Sequence, residues 1–131
     1  VLQFTLPGVP CVYYGDEAGL SGGEDPFNRA CFPWGHENKE LLEHYKTLGR
    51  IRKLCPAFVD GEFNCISAVL GCIAYERISD TGCALIIANA NDRDIEYRVP
   101  ECWRNAPALF GKAAYGRSVS VGAHSAVILH R

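Results

Sequence analysis

The feature that most constrains this chain is a change of hydrophobic period at Pro56. Before it, Leu41, Leu42, Tyr45, Leu48, Ile51 and Cys55 recur at the spacing of one helical face. After it the period is two. Ile73, Tyr75 and Arg77 alternate with Cys72, Ala74, Glu76 and Ile78, and Ile95, Tyr97 and Val99 alternate further on. The chain therefore divides into two textures. Residues 1–56 read as strand, long loop and helix, and residues 57–131 as short strands with turns.

The helix is expected from about Asn38 to Leu54. Asn38 is a good N-cap, Lys39 and Glu43 stand four apart on the wet face, and Arg50, Arg52 and Lys53 suit the negative C-terminal end. Pro56 ends it at Cys55. Downstream, Ser79-Asp80-Thr81-Gly82 is a turn, Cys83 to Ala88 a central buried strand, and Asn89 to Asp94 a second turn. Val119 to Val121 and Ser125 to Leu129 are the last strands. Short strands at this spacing predict an antiparallel sandwich or barrel.

Upstream, Val9-Pro10-Cys11-Val12-Tyr13-Tyr14 is apolar on both alternating faces. That predicts a strand buried on both sides, as in a parallel sheet, with Pro10 at its start. A long loop follows over residues 15–37, punctuated by Gly15, Gly19, Gly22, Gly23, Pro26, Pro33 and Gly35. Loops of this length inside compact domains commonly carry function.

Composition narrows the function classes. Apolar residues make up 48% of the 131 residues, enough for a packed core, and the net charge of −2 mixes both signs. There is no basic footprint for nucleic acid, no reason to invoke a membrane, and no apolar run long enough to span one. The chain contains no methionine and opens on Val1-Leu2-Gln3-Phe4, so it is expected to begin inside a larger protein. Seven cysteines, an odd number without a C-x-x-C pair, predict reduced thiols in a cytoplasmic setting rather than a disulfide framework or a zinc site.

Within the loop, Asp16 and Glu17 are adjacent carboxylates. Two carboxyl groups that share acid–base work must face one substrate bond, and neighbours on an extended backbone point apart. They are read as loop anchors. Asp25 and Arg29 offer a carboxylate that accepts from hydroxyls and a planar fork that donates, or else a turn cap paired with its neighbour. Trp34 can stack on a ligand ring or close the loop by packing. Gly19-Leu20-Ser21-Gly22-Gly23 spells G-x-S-x-G, but that motif needs a sharp strand-to-helix turn at the serine, so Ser21 is read as a chance match. His36, His44, His124 and His130 have no ligand spacing. No metal site is expected.

The run Leu6-Pro7-Gly8-Val9-Pro10-Cys11-Val12-Tyr13-Tyr14-Gly15-Asp16-Glu17 resembles the α-amylase family of glycoside hydrolases. Gly22-Gly23-Glu24-Asp25-Pro26-Phe27-Asn28-Arg29, Cys31-Phe32-Pro33-Trp34, the helix from Asn38 to Tyr45, and Leu54-Cys55-Pro56-Ala57 continue the likeness. The loop is most similar to the neopullulanase and cyclomaltodextrinase branch. The resemblance implies an α+β fragment: residues 1–56 would be the last strand and helix of a (β/α)8 catalytic barrel, and residues 57–131 the antiparallel β-sandwich that follows it. It also implies that the catalytic carboxylates lie on earlier strands, so no catalytic residue is expected here and the fragment alone would be inactive. Substrate binding falls to Asp25, Arg29 and Trp34, with a starch-like α-glucan oligosaccharide as partner and no cofactor.

Two rival readings stand beside this one. A stand-alone carbohydrate-binding β-sandwich module would display exposed aromatics on one face; Tyr97, Trp103, Phe110 and Tyr115 are available but show no clear single-face stripe. A serine hydrolase would rest on Ser21. A barrel strand without its neighbours also predicts self-association through Val9 to Tyr14.

Overall fold

The computed structural model describes residues 1–131 and contains two antiparallel sheets with a helical layer. A single helical turn, α1 (Leu2–Thr5), opens the chain, and α2 (Lys39–Leu54) is its one long helix. The Asn38 side chain accepts from the Leu41 amide at 3.0 Å, as the cap position requires. Pro56 ends α2 and at once begins a short turn of helix, α3 (Ala57–Asp60), which fills the step between helix and strands. Glu43 pairs with Lys46 at 2.7 Å, not with Lys39. The i,i+3 partner wins on this face of α2.

Seven strands follow: β1 (Glu62–Val69), β2 (Cys72–Ser79), β3 (Gly82–Asn89), β4 (Ile95–Arg98), β5 (Ala108–Phe110), β6 (Ser118–Val121) and β7 (Ser125–His130). One sheet has the order β1-β2-β3-β7-β5, and β4 and β6 form a ribbon opposite it. The β2–β3 turn is the expected one, with Ser79 opposite Gly82. This is a small two-sheet antiparallel domain.

The period of two explains how the layers are held. On β3, Leu85 and Ile87 face the ribbon, where they join Trp103, Val119, Val121, Val127 and Leu129 in one buried cluster. Ala84 and Ile86 face the other way, onto Phe4, Leu48, Ile51, Phe58, Tyr75 and Ile128. The middle of the sheet is thus buried on both faces, by the ribbon and by the helices. Fully burying each Leu- or Phe-sized side chain contributes about 1.5–3 kcal/mol.

Residues 1–8 are fastened to this assembly by polar contacts as well. Arg77, only 1% exposed, donates to the Thr5 carbonyl and, at 2.9 Å, to the Gly61 carbonyl. Arg52 donates to the Phe4 and Gly8 carbonyls, both at 2.7 Å. The hydroxyls of Thr5 and Tyr75 share a hydrogen bond of 2.6 Å.

The strand expected over Val9–Tyr14 does not form a ladder in this structure. A parallel strand needs parallel neighbours, and every strand present here is committed to an antiparallel sheet. Val9, Val12, Tyr13 and Tyr14 are consequently exposed.

Candidate functional site

The loop over residues 15–37 is pinned at both ends and open in the middle. Gly15 begins it at a φ of 78°, and a Cβ there would lie 2.3 Å from the Leu20 side chain, so only glycine fits. A 3₁₀ turn over Asp16–Ala18 follows. The Asp16 carboxylate accepts from the Tyr13 amide at 3.1 Å, which makes it the anchor expected from the sequence. Ala18 is buried, and its carbonyl accepts from the Asn38 amide at 3.0 Å. The residue that caps α2 therefore also closes the loop's first arm. Glu17 is less settled: its Oε2 atom is buried without a hydrogen-bond partner.

From Ser21 to Cys31 every residue is exposed. The Phe27 amide donates to the Glu24 carbonyl at 2.8 Å, and the Arg29 amide to that of Pro26 at 3.1 Å. This turn brings the two expected site residues together: Arg29 Nε lies 3.0 Å from Asp25 Oδ1. The side chains remain 75% and 63% exposed. An exposed pair of this kind contributes about 0–1 kcal/mol to stability. One edge of the guanidinium and one carboxylate oxygen still face solvent, a donor and an acceptor side by side.

Trp34 is 80% exposed. Its ring centroid lies 4.6 Å from that of Phe32 at 52°, so its one aromatic contact is local and does not involve Arg29. Beyond it, Glu37 accepts from the Gly35 amide at 3.0 Å, and backbone hydrogen bonds hold its carboxyl below the usual range. The Tyr14 hydroxyl donates to the Ala30 carbonyl, tying the returning arm to the residues before the loop. Phe27, 79% exposed between Asp25 and Arg29, is the residue that sequence reasoning passed over. Its position beside Pro26 in a loop of polar residues was the available signal.

Other candidates fare differently. Ser21 is exposed with no strand-to-helix turn around it and no base bonded to it, so the elbow geometry is missing. Of the sandwich aromatics, Trp103 is core, Tyr97 and Phe110 are half-buried, and Tyr115 alone is open at 89%. They form no exposed stripe. All seven cysteines are free thiols. No group of three or more His, Cys, Asp or Glu side chains is arranged to hold a metal ion, and no helix is long and apolar enough to cross a membrane.

No family model matches the chain. Individual proteins do. It is 37% identical over 103 residues to a maltogenic α-amylase of Bacillus acidopullulyticus, covering 74% of this chain and 18% of that protein. It is 40% identical over 97 residues to a cyclomaltodextrinase of a Bacillus species, covering 71% of this chain and 17% of the relative. Among solved structures, the debranching enzyme of Nostoc punctiforme superposes on 99% of this chain with a TM-score of 0.87 at 29% identity, using 29% of its own length. The class these matches define is the α-amylase family of glycoside hydrolases. The chain is a relative of that family's C-terminal region, on the side of the maltogenic amylases and cyclomaltodextrinases. It spans under a fifth of the length of the two curated relatives.

Proposed function

We infer that this chain is the C-terminal part of a retaining α-glucan hydrolase acting on starch-like oligosaccharides. In this reading residues 1–56 contribute the last strand and helix of the catalytic barrel, and residues 57–131 are its β-sandwich. The catalytic carboxylates belong to preceding strands, so the chain alone has no hydrolytic activity. The loop over 15–37 holds a glucose unit on the non-reducing side of the cleaved bond. Arg29 donates to sugar hydroxyls, Asp25 accepts from them, and Trp34 supplies a face for the ring. Phe27 offers a second apolar face in the same turn. The seven free thiols support a cytoplasmic setting.

The observation that carries this reading is the exposed Asp25–Arg29 pair, a matched donor and acceptor in a loop anchored at both ends. The names of the relatives support an α-glucan as the ligand.

The test has two arms. The chain alone, incubated with starch, pullulan or cyclodextrin, should release no reducing sugar above a buffer control. With the preceding barrel region of the enzyme joined to it, Arg29→Ala should lower kcat/KM on maltooligosaccharides roughly ten- to a hundredfold, the equivalent of a charged hydrogen bond of about 1.5–3 kcal/mol. Its melting temperature should stay near that of the parent, because the pair is exposed. Unchanged kinetics would remove the loop from the sugar site.

A further inference from the structure

The turn that carries Asp25 and Arg29 is tied to the rest of the chain at one point. Residues 21–31 are all exposed. Their backbone hydrogen bonds, Phe27 to Glu24 and Arg29 to Pro26, close within the turn, and so does the Asp25–Arg29 pair. Gly22 lies against Asn28, where an added Cβ would stand 3.3 Å from the Asn28 Cβ, so the two arms of the turn touch each other. The hydrogen bond that leaves the segment runs from the Tyr14 hydroxyl to the Ala30 carbonyl.

The residues around Tyr14 fix where its hydroxyl points. Gly15, at a φ of 78°, turns the chain directly after it. The amide directly before it, that of Tyr13, is held by the Asp16 carboxylate, and the Tyr13 ring stands 6.2 Å from the Tyr14 ring. From there the hydroxyl reaches across 16 positions of the chain to the residue after Arg29. Arg29 is thereby bracketed. Its own amide is bonded to the Pro26 carbonyl, and the carbonyl that follows it is bonded to Tyr14. A guanidinium donates through a rigid planar fork, so its backbone must be held if the fork is to meet a ligand. A site on a loop loses that precision unless supporting hydrogen bonds supply it.

We propose that Tyr14 is a positioning residue, whose hydroxyl holds the Asp25–Arg29 turn in the arrangement that receives the sugar; this rests on the reading of the loop as a sugar site. With the hydrogen bond made, Arg29 and Asp25 meet the ligand already ordered. Without it the turn is ordered only when the ligand binds, and that cost is subtracted from affinity. Tyr14 is 52% exposed, so its hydroxyl competes with water for the Ala30 carbonyl. Removing a neutral hydrogen bond of this kind weakens binding roughly two- to tenfold.

The test uses the enzyme with its preceding barrel region, as for Arg29→Ala. Tyr14→Phe removes only the hydroxyl. KM on maltooligosaccharides should rise roughly two- to tenfold with kcat nearly unchanged, because the loop grips the sugar equally before and during bond cleavage. Combined with Arg29→Ala, it should raise KM by less than the product of the two single effects. A second readout needs no sugar. Arg29, followed by Ala30, is a trypsin site in an exposed turn, and cleavage there follows the population of the opened turn. Mass spectrometry should find cleavage after Arg29 faster in Tyr14→Phe than in wild type. Tyr13→Phe, which leaves the Tyr14 hydroxyl in place, should match wild type in both readouts. A fall in kcat with KM unchanged, a KM effect that multiplies with that of Arg29→Ala, or equal effects in Tyr13→Phe would overturn the proposal. If Arg29→Ala raises KM while Tyr14→Phe changes neither KM nor cleavage, the proposal falls and the sugar reading stands. If Tyr14→Phe speeds cleavage while KM is unchanged in both variants, the two fall together.

Discussion

The guanidinium of Arg77 donates to the carbonyl of Thr5 at 2.7 Å, joining β2 to the first helical turn across 72 positions of the chain. The carbonyls at the C-terminal end of a helical turn have no partner of their own. Here Arg77 and Arg52 supply the donors for Phe4, Thr5 and Gly8. No carboxylate forms a salt bridge with Arg77. Its burial, and then the Arg52 charge, lower its pKa from the ordinary arginine value. The side chain is kept buried by backbone carbonyls rather than by an opposite charge.

Arg77→Ala should therefore destabilise the fold. The Thr5 and Gly61 carbonyls would be left without donors, and a hydrogen bond to a charged group contributes about 1.5–3 kcal/mol. Urea unfolding should show a loss of about 3 kcal/mol with little change in slope, and amides of residues 1–8 should exchange faster. An unchanged midpoint would mean that water replaces the arginine without cost.

Trp103 is the corresponding element on the ribbon side. It is 1% exposed, its indole Nε1–H donates to Glu76 Oε1 at 2.6 Å, and the Arg131 guanidinium lies 5.2 Å from its ring. Trp103→Phe should cost about 1.5–3 kcal/mol for the lost charged hydrogen bond alone, and Trp103→Ala about 3–5 kcal/mol through the cavity it leaves. Chemical denaturation of the two variants should rank them in that order.

His44 on α2 sets an acid limit. Its ring stands edge-on to Phe110 at 5.5 Å, and burial lowers its pKa. The neutral form is therefore preferred in the folded chain. The unfolded chain takes up this proton first, near the ordinary value of about 6.5. Stability from this group is full above that pH, declines as pH falls below it, and levels off once the folded pKa is passed. His44→Gln should remove this component from the pH dependence of the urea midpoint. A pH profile identical to wild type would show that His44 titrates normally.

The thiols should separate by reactivity. Burial raises the pKa of Cys55 and Cys72, which lowers their thiolate fraction, and the thiolate is the reactive form. Cys11, Cys31, Cys65 and Cys102 are exposed. In native protein at mildly alkaline pH, a thiol-disulfide reagent followed by peptide mapping should label those four first and Cys55 last. Early labelling of Cys55 would show that the contact between α2 and the sheet opens readily.

What was legible in the sequence followed from period and punctuation. The α2 boundaries came from Asn38 and Pro56, and β2, β3, β4, β6 and β7 from alternation between turn residues. β1 was not placed, because its outer edge and much of its surface are exposed and its side chains lack a clean alternation. β5 is too short to carry any pattern, and α1 is a single turn held by Arg52 and Arg77 rather than by propensity. The Val9–Tyr14 strand was read from composition that suits burial on both sides, yet a strand exists only where another supplies its hydrogen bonds. In the loop, the opposite charges of Asp25 and Arg29 left pairing as one of two readings, and the side chains do pair. The local stacking of Trp34 on Phe32 depends on the path of the backbone and had no signature in the sequence.

The alternation along β3 has a consequence for how the molecule comes apart. Leu85 and Ile87 belong to one buried cluster and Ala84 and Ile86 to the other, so the same eight-residue strand is the floor of both. Neither the ribbon nor the helical layer can detach far without uncovering residues next to those that anchor its counterpart. The two clusters are like two leaves riveted through one hinge pin, so calorimetry should record their thermal unfolding as one transition rather than two.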